Sequence, residues 1–388
     1  MPAIDGFVAS GYEPVRERFE RNFSELGEIG AAFSVVIDGE PVVDLWGGDA
    51  DRDAGLPWTR DTLQLIFSGT KGLTAACILI LIERGLLSLD SPVAEYWPEF
   101  AAAGKQDVTL AEVVTHRSAL PGFREPVASA EIIDPIRMAE LLAVQAPLDE
   151  IRGVICYHPL TYGWLLGEII RRVDGRTVGR FFAEEIAKPL GLETWIGLPE
   201  EHHRRVGRLV PGDPPAVIPP PRGYEAVAAA TDNPPVLTQD RGLWNTPTIW
   251  SAEIAGAGGI TTARSMARFY GCLSRGGELD GVRILRAETV ALGRTPLASV
   301  EADVLWGQPS ATGVGFGLSV GGVPGRPLVP DEFGHGGFGG SDHGAWPSAR
   351  LGYSYVPNYL RLDPESEYDG VQPGPALVSA RFECLAKA

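Results

Sequence analysis

A serine followed three residues later by a lysine occurs once in this 388-residue chain, at Ser68-Gly69-Thr70-Lys71. A serine hydroxyl is a weak nucleophile until a base takes its proton, and an uncharged lysine amine can be that base. At i and i+3 on a helix the two side chains share a face, so Lys71 reaches the Ser68 hydroxyl. A free lysine, with a pKa near ~10.4, stays protonated at neutral pH. Burial lowers that value, and so does the positive end of a helix dipole. The same helix start aims the Ser68 N–H at the place where an oxyanion would form. With 19 serines and four lysines, chance supplies about 0.2 such spacings per chain, so the spacing alone is weak. Its setting strengthens it: an extended segment before, a glycine inside, and the apolar run LTAACILILI after. The plain structural alternative is a serine N-cap with a lysine in the first turn, where the lysine opposes the dipole.

These residues need elements to hold them. Residues 13–25 carry helical spacing, with Val15, Phe19 and Phe23 on one side. Residues 31–46 read as a hairpin about Asp38-Gly39. An extended segment, 62–67, runs into the buried helix near Ser68. Helical spacing recurs over 110–116, 135–144, 161–173 and 178–190, and a Pro-rich loop spans 208–223. Residues 257–273 predict a turn and a helix, 314–320 and 351–356 predict strands, and 375–386 predict a last helix. The order implies an α/β layer built from residues 1–95 and 230–388, interrupted by a mainly helical insertion at 96–229. The site is expected in the cleft between them.

Composition excludes several functions. A net charge of −17 repels nucleic acid, and no Lys/Arg run offsets it. Cys77, Cys156, Cys272 and Cys384 form no CxxC pair and read as reduced packing residues. The N-terminal residues lack a signal-peptide pattern, and the most apolar run, 73–82, is too short to cross a bilayer. The expectation is a cytoplasmic protein with no membrane partner. Nothing in the sequence speaks to oligomeric state.

Several longer segments then make a family resemblance visible. FSGTKGLTA at 67–75, VVTHRSALPG at 113–122, YHPLTYGWLLGEIIRRVDGR at 157–176, AGGITTARSMARFY at 257–270 and FGHGGFGGSDHGAW at 333–346 resemble the serine β-lactamase and penicillin-binding-protein superfamily. Within it the chain is most similar to the β-lactamase-like carboxylesterases called family VIII esterases, related to class C β-lactamases. The resemblance implies a β-lactamase-like α+β fold: an antiparallel sheet flanked by helices, with a second, helical domain. It implies Tyr157 as the partner of Ser68 and Lys71 in proton transfer, its phenol pKa lowered by neighbouring ammonium groups. It implies that His335-Gly336-Gly337 line the substrate strand and that the Phe338 N–H joins the Ser68 N–H in an oxyanion hole. The activity implied is hydrolysis of short- to medium-chain carboxylic esters, small molecules, through an acyl-enzyme, with no metal or organic cofactor. Pro159 stands where β-lactamases have an asparagine, His335 where they have a lysine, and Gly336 where they have a hydroxyl residue. All three departures favour neutral esters. A β-lactamase or D-amino-acid peptidase, an acyltransferase and a non-catalytic ligand-binding protein are the alternatives.

Other residues are weighed against these. Gly317-Leu318-Ser319-Val320-Gly321 matches a nucleophile elbow, but no helix can follow it. His202-His203 reads as solvated surface. His343 reads as a loop residue at the rim, His116 as a packing or hydrogen-bonding residue and Tyr162 as core. Ser265, beside Arg264, alters a position usually acidic in relatives. Phe123, Trp250, Trp306 and Phe338 are candidates for an apolar substrate pocket, with Trp250 and Phe123 expected at the substrate surface.

Overall fold

A computed structural model of the chain describes residues 3–212, 223–321 and 328–360. Most of the Pro-rich loop, the expected helix at 375–386 and Cys384 lie outside the described residues.

The fold is a mixed α/β arrangement around an antiparallel sheet. In spatial order its strands are Ile4–Val8, Glu40–Asp51, Gly30–Ile37, Leu351–Pro357, Asp342–Trp346, Phe333–Gly334, Gly317–Leu318, Ser310–Thr312 and Ala298–Val300. The two halves of the chain meet in the middle of this sheet, where Ser354 lies opposite Ser34. The hairpin about Asp38-Gly39 forms as its turn residues predict, with Asp38 at φ 54° and Gly39 at φ 93°.

Alternation along the strands sorts side chains to two faces. Ala31, Phe33, Val35, Tyr353 and Tyr355 pack with Val15, Phe19 and Phe23 of the helix Glu13–Glu25. The opposite face carries the helix Ala263–Ser274, which meets Leu351–Pro357 at two glycines. A Cβ on Gly352 would lie 2.1 Å from the Gly271 nitrogen, so Gly352 admits no side chain, while one on Gly271 would press on the Val36 side chain at 3.2 Å. The helix Thr70–Glu83 is buried from Thr70 to Leu81, which is why its sequence is apolar on every side.

The middle of the chain is helical. Leu110–Val114 opens with a capping box between Thr109 and Glu112, and Asp134 caps Pro135–Val144. Thr161–Asp174 ends at Gly175, in the left-handed region. This last helix packs against both Pro135–Val144 and Thr70–Glu83.

Two expected strands change. The extended segment before Ser68 does not join the central sheet. Its Gln64–Leu65 pairs with Gly259–Thr261, which also pairs with Thr194–Ile196 in a separate three-stranded sheet. Of residues 314–320 only Gly317–Leu318 forms a strand, because Gly315 turns the chain at φ 75°. No helix among the described residues is long and apolar enough to cross a membrane.

Candidate active site

Ser68 stands one residue before the N-cap of the buried helix, which begins at Thr70. Phe67 holds a positive φ of 44°, rare for a bulky residue and a local strain. Its ring is anchored between Trp244 at 5.0 Å and Phe338 at 5.4 Å. Thr70 ties the turn down: its hydroxyl donates to the Phe67 carbonyl at 2.6 Å and accepts the Gly259 N–H at 2.8 Å. Gly69 sits against a buried imidazole, and a Cβ there would lie 2.6 Å from the His343 ring.

Lys71 is fully buried. Its Nζ lies 3.1 Å from Ser68 Oγ and donates to the carbonyls of Pro159 at 2.6 Å and Gly256 at 2.8 Å. Burial holds its pKa well below the usual 10.5. A neutral amine has two N–H bonds and one lone pair. The two carbonyls account for both N–H bonds, which leaves the lone pair for the Ser68 hydroxyl.

Tyr157 is half-buried beside this pair, with Lys71 Nζ 4.8 Å from its ring centroid. Its phenol is hydrogen-bonded to Ser68. Rings surround it: His116 at 4.7 Å, Trp306 at 5.9 Å and His335 at 6.0 Å. The expected lowering of the phenol pKa is not found. Burial raises it, and the hydrogen bond to Ser68 offsets only part of the rise. Desolvation is the largest cause, and the negative charge of Asp303 adds to it.

The segment after Phe333–Gly334 runs beside the turn that carries Ser68. A Cβ on Gly337 would lie 2.1 Å from the Ile66 carbonyl oxygen, and the Ser341 hydroxyl donates to that same oxygen at 3.2 Å. Phe338 follows at once, its ring on Phe67. The His335 N–H donates to the His343 carbonyl at 3.0 Å. His335 and Gly336 also line a cavity of about 190 Å³ shared with Leu318, Ser319 and Val320.

Two residues expected at the substrate surface lie elsewhere. Phe123 is buried against Trp164, with ring centroids 5.6 Å apart. Trp250 bonds the Trp244 carbonyl and, with His203, lines a separate cleft. Both follow from packing: Phe123 meets a ring of the helix Thr161–Asp174, and Trp250 meets the His203 ring at 5.6 Å. His343 is not a loop residue but lies buried in the strand Asp342–Trp346, its Nδ1 2.7 Å from the Ser354 hydroxyl. Burial lowers its pKa to about 3. Ser319 follows the strand Gly317–Leu318 and accepts the Val329 N–H at 3.0 Å. His202 stacks on Trp195, and Tyr162 is core, its ring 5.0 Å from His116. Ser265 lies in the first helical turn, where its N–H donates to the capping Thr262 hydroxyl at 3.3 Å and its own Oγ accepts from that hydroxyl at 3.0 Å.

Sequence reading missed Thr70, the carbonyls of Pro159 and Gly256, and Asp303, whose carboxylate accepts the Tyr157 N–H at 3.1 Å. Carbonyl acceptors leave no signature in residue type. Asp303 lies 146 residues from its partner, so no local pattern marks it.

Comparison with known proteins identifies the family and the fold. The family described as Beta-lactamase matches residues 18–372. The Esterase/beta-lactamase LipL of Mycobacterium tuberculosis is 36% identical over 351 residues, 85% of this chain and 77% of the relative. Esterase EstB of Burkholderia gladioli is 30% identical over 190 residues, 45% of this chain and 48% of the relative. A crystal structure of a family VIII carboxylesterase shares 35% identity at a TM-score of 0.89, covering 98% of this chain and 100% of that one. A penicillin-binding protein homologue from Caulobacter crescentus also shares 35% identity, with a TM-score of 0.88 and the same coverage. With most of its length matched and its candidate nucleophile at the head of the buried helix, the chain belongs to the beta-lactamase family and is a serine hydrolase of that family.

Proposed function

We propose that the chain is a carboxylesterase that hydrolyses short- to medium-chain esters through an acyl-enzyme on Ser68. The observation that carries this reading is the desolvated Lys71 amine, 3.1 Å from Ser68 Oγ with two backbone carbonyls on its other side. Neutral Lys71 takes the Ser68 proton as Oγ attacks the ester carbonyl. The N–H groups of Ser68 and Phe338 receive the oxyanion. Tyr157, a neutral phenol, hands its proton to the departing alcohol and takes one from the adjacent Lys71 ammonium, so the proton that left Ser68 is balanced by the one that leaves with the alcohol. Water then enters and gives a proton to the same pair, which returns it to Ser68 Oγ as the acyl bond breaks and the acid leaves. Names borne by the relatives, LipL and the family VIII carboxylesterase, support ester hydrolysis.

Neutral esters are favoured over charged amides because Pro159 offers no side-chain amide and His335-Gly336 offers neither lysine nor hydroxyl. A β-lactamase side activity is the second reading, supported by the double name of LipL. Turnover of p-nitrophenyl acetate, butyrate and octanoate beside a chromogenic cephalosporin tests both. Esters are expected to turn over faster, and Ser68→Ala is expected to lose at least about a thousandfold in kcat. Activity retained in Ser68→Ala would remove this serine from the mechanism.

A further inference from the structure

Tyr157 is gripped through three successive backbone amides. The Cys156 N–H donates to the His116 carbonyl at 3.0 Å, the Tyr157 N–H to Asp303 Oδ2 at 3.1 Å, and the His158 N–H to His116 Nδ1 at 3.1 Å. His116 holds this double grip from a left-handed backbone, at φ 60°. The other oxygen of Asp303 accepts the N–H groups of Leu305 at 2.8 Å and Trp306 at 2.9 Å. That turn is closed by Gly307, whose N–H donates to the Asp303 carbonyl at 2.8 Å. It is tied back again where the Val304 N–H meets the Ile155 carbonyl at 3.2 Å, and the Val304 side chain packs with Cys156. One buried carboxylate therefore joins the backbone of Tyr157 to the turn that carries Trp306. Asp303 is 2% exposed while Trp306 is 40% exposed, its ring 5.9 Å from that of Tyr157.

We propose that residues 303–306 form a substrate-selecting arm, in which Asp303 sets Tyr157 and Trp306 in register and Trp306 is the wall for the alcohol part of an aromatic or bulky apolar ester. The inference rests on the proton-transfer role proposed above for Tyr157. A group that protonates the leaving oxygen must lie beside it, so the ring next to Tyr157 meets the alcohol moiety and not the acyl chain. Both Asp303 oxygens are occupied by N–H donors, so the arm presents an indole face and no anion to the cleft. An indole left partly in water at a cleft mouth gains most from a flat apolar partner. Asp303 is a positioning residue: it acts on substrate only through Tyr157 and Trp306.

Two ester series separate the possibilities. Ethyl, phenyl and 1-naphthyl acetate vary the alcohol, and p-nitrophenyl acetate, butyrate and octanoate vary the acyl chain. Trp306→Ala is expected to raise KM for naphthyl acetate about tenfold relative to ethyl acetate, with kcat held, and Trp306→Phe to recover most of it. Across the acyl series Trp306→Ala is expected to act by one common factor. Asp303→Asn turns one acceptor into a donor, and is expected to lower kcat for every ester by roughly ten- to a hundredfold and to erase the alcohol preference. A Trp306→Ala effect that is equal across the alcohol series, or graded along the acyl series, overturns the arm. Thermal melts show whether Asp303→Asn is folded; if it is not, the two exposed Trp306 variants decide alone. An inactive wild type, or an active Ser68→Ala, overturns the esterase reading and the arm with it. An active wild type with a dead Ser68→Ala and an ungraded Trp306→Ala overturns the arm only.

Discussion

Lys71 shows how burial makes an ordinary side chain reactive. Desolvation disfavours its ammonium, and the carbonyls of Pro159 and Gly256 hold the amine in place. Only the neutral amine accepts the Ser68 proton, so activity is low where Lys71 is protonated and rises as pH climbs through its lowered pKa. The kcat/KM profile is expected to reach its plateau well below pH 10.5. A profile still climbing toward the ordinary lysine value of ~10.4 would remove Lys71 as the base. Burial lowers His158 to about 4 and His343 to about 3, and holds His116 well below 6.5, so a rise in activity above pH 6.5 does not come from these three.

At the scale of elements, the critical joint lies between the three-stranded sheet and the buried helix. Thr70 makes it by accepting from Gly259 and donating to Phe67 with one hydroxyl. Thr70→Val keeps the shape and removes both bonds, leaving the Gly259 N–H buried without an acceptor. A loss of about 1–3 kcal/mol is expected, read as a lower urea midpoint, while Thr70→Ser retains most of the stability. Equal stability for Val and Ser would show that the hydroxyl is not the joint. The helix itself was plain in the sequence, as were Glu13–Glu25, Pro135–Val144 and the hairpin, because each carries its own periodicity or turn residues. The pairing of Gln64–Leu65 was not legible: an extended segment has two open edges, and its partner lies nearly two hundred residues away.

For the molecule as a whole, the sheet closes only where two glycines let a helix touch a strand. A side chain at Gly352 would meet the backbone of Gly271 and Ala267 at 2.1 and 2.4 Å. Backbone cannot yield as a side chain does, so Gly352→Val is expected to cost about 3 kcal/mol and to lower the melting temperature sharply. Gly242→Ala, where nothing lies within 4 Å, is the control and is expected to stay within about 0.5 kcal/mol of the parent. If the two variants melt together, the contact between helix and strand is looser than this spacing requires.

The sequence by itself pointed to the Ser68–Lys71 pair, because the turn that opens a helix brings residues three apart together, here closed by the Lys71 N–H on the Ser68 carbonyl at 2.9 Å. Through the resemblance of its longer segments it also pointed to Tyr157, to His335-Gly336-Gly337 and to the antiparallel sheet. Tertiary structure alone decided what surrounds them. It buried Phe123 in the core, turned Trp250 to another cleft, raised the Tyr157 phenol where a lowering was expected, and brought Asp303 beneath Tyr157. These are consequences of packing between distant segments. Desolvation and long-range hydrogen bonds depend on which elements meet, and residue type and spacing carry no record of that meeting.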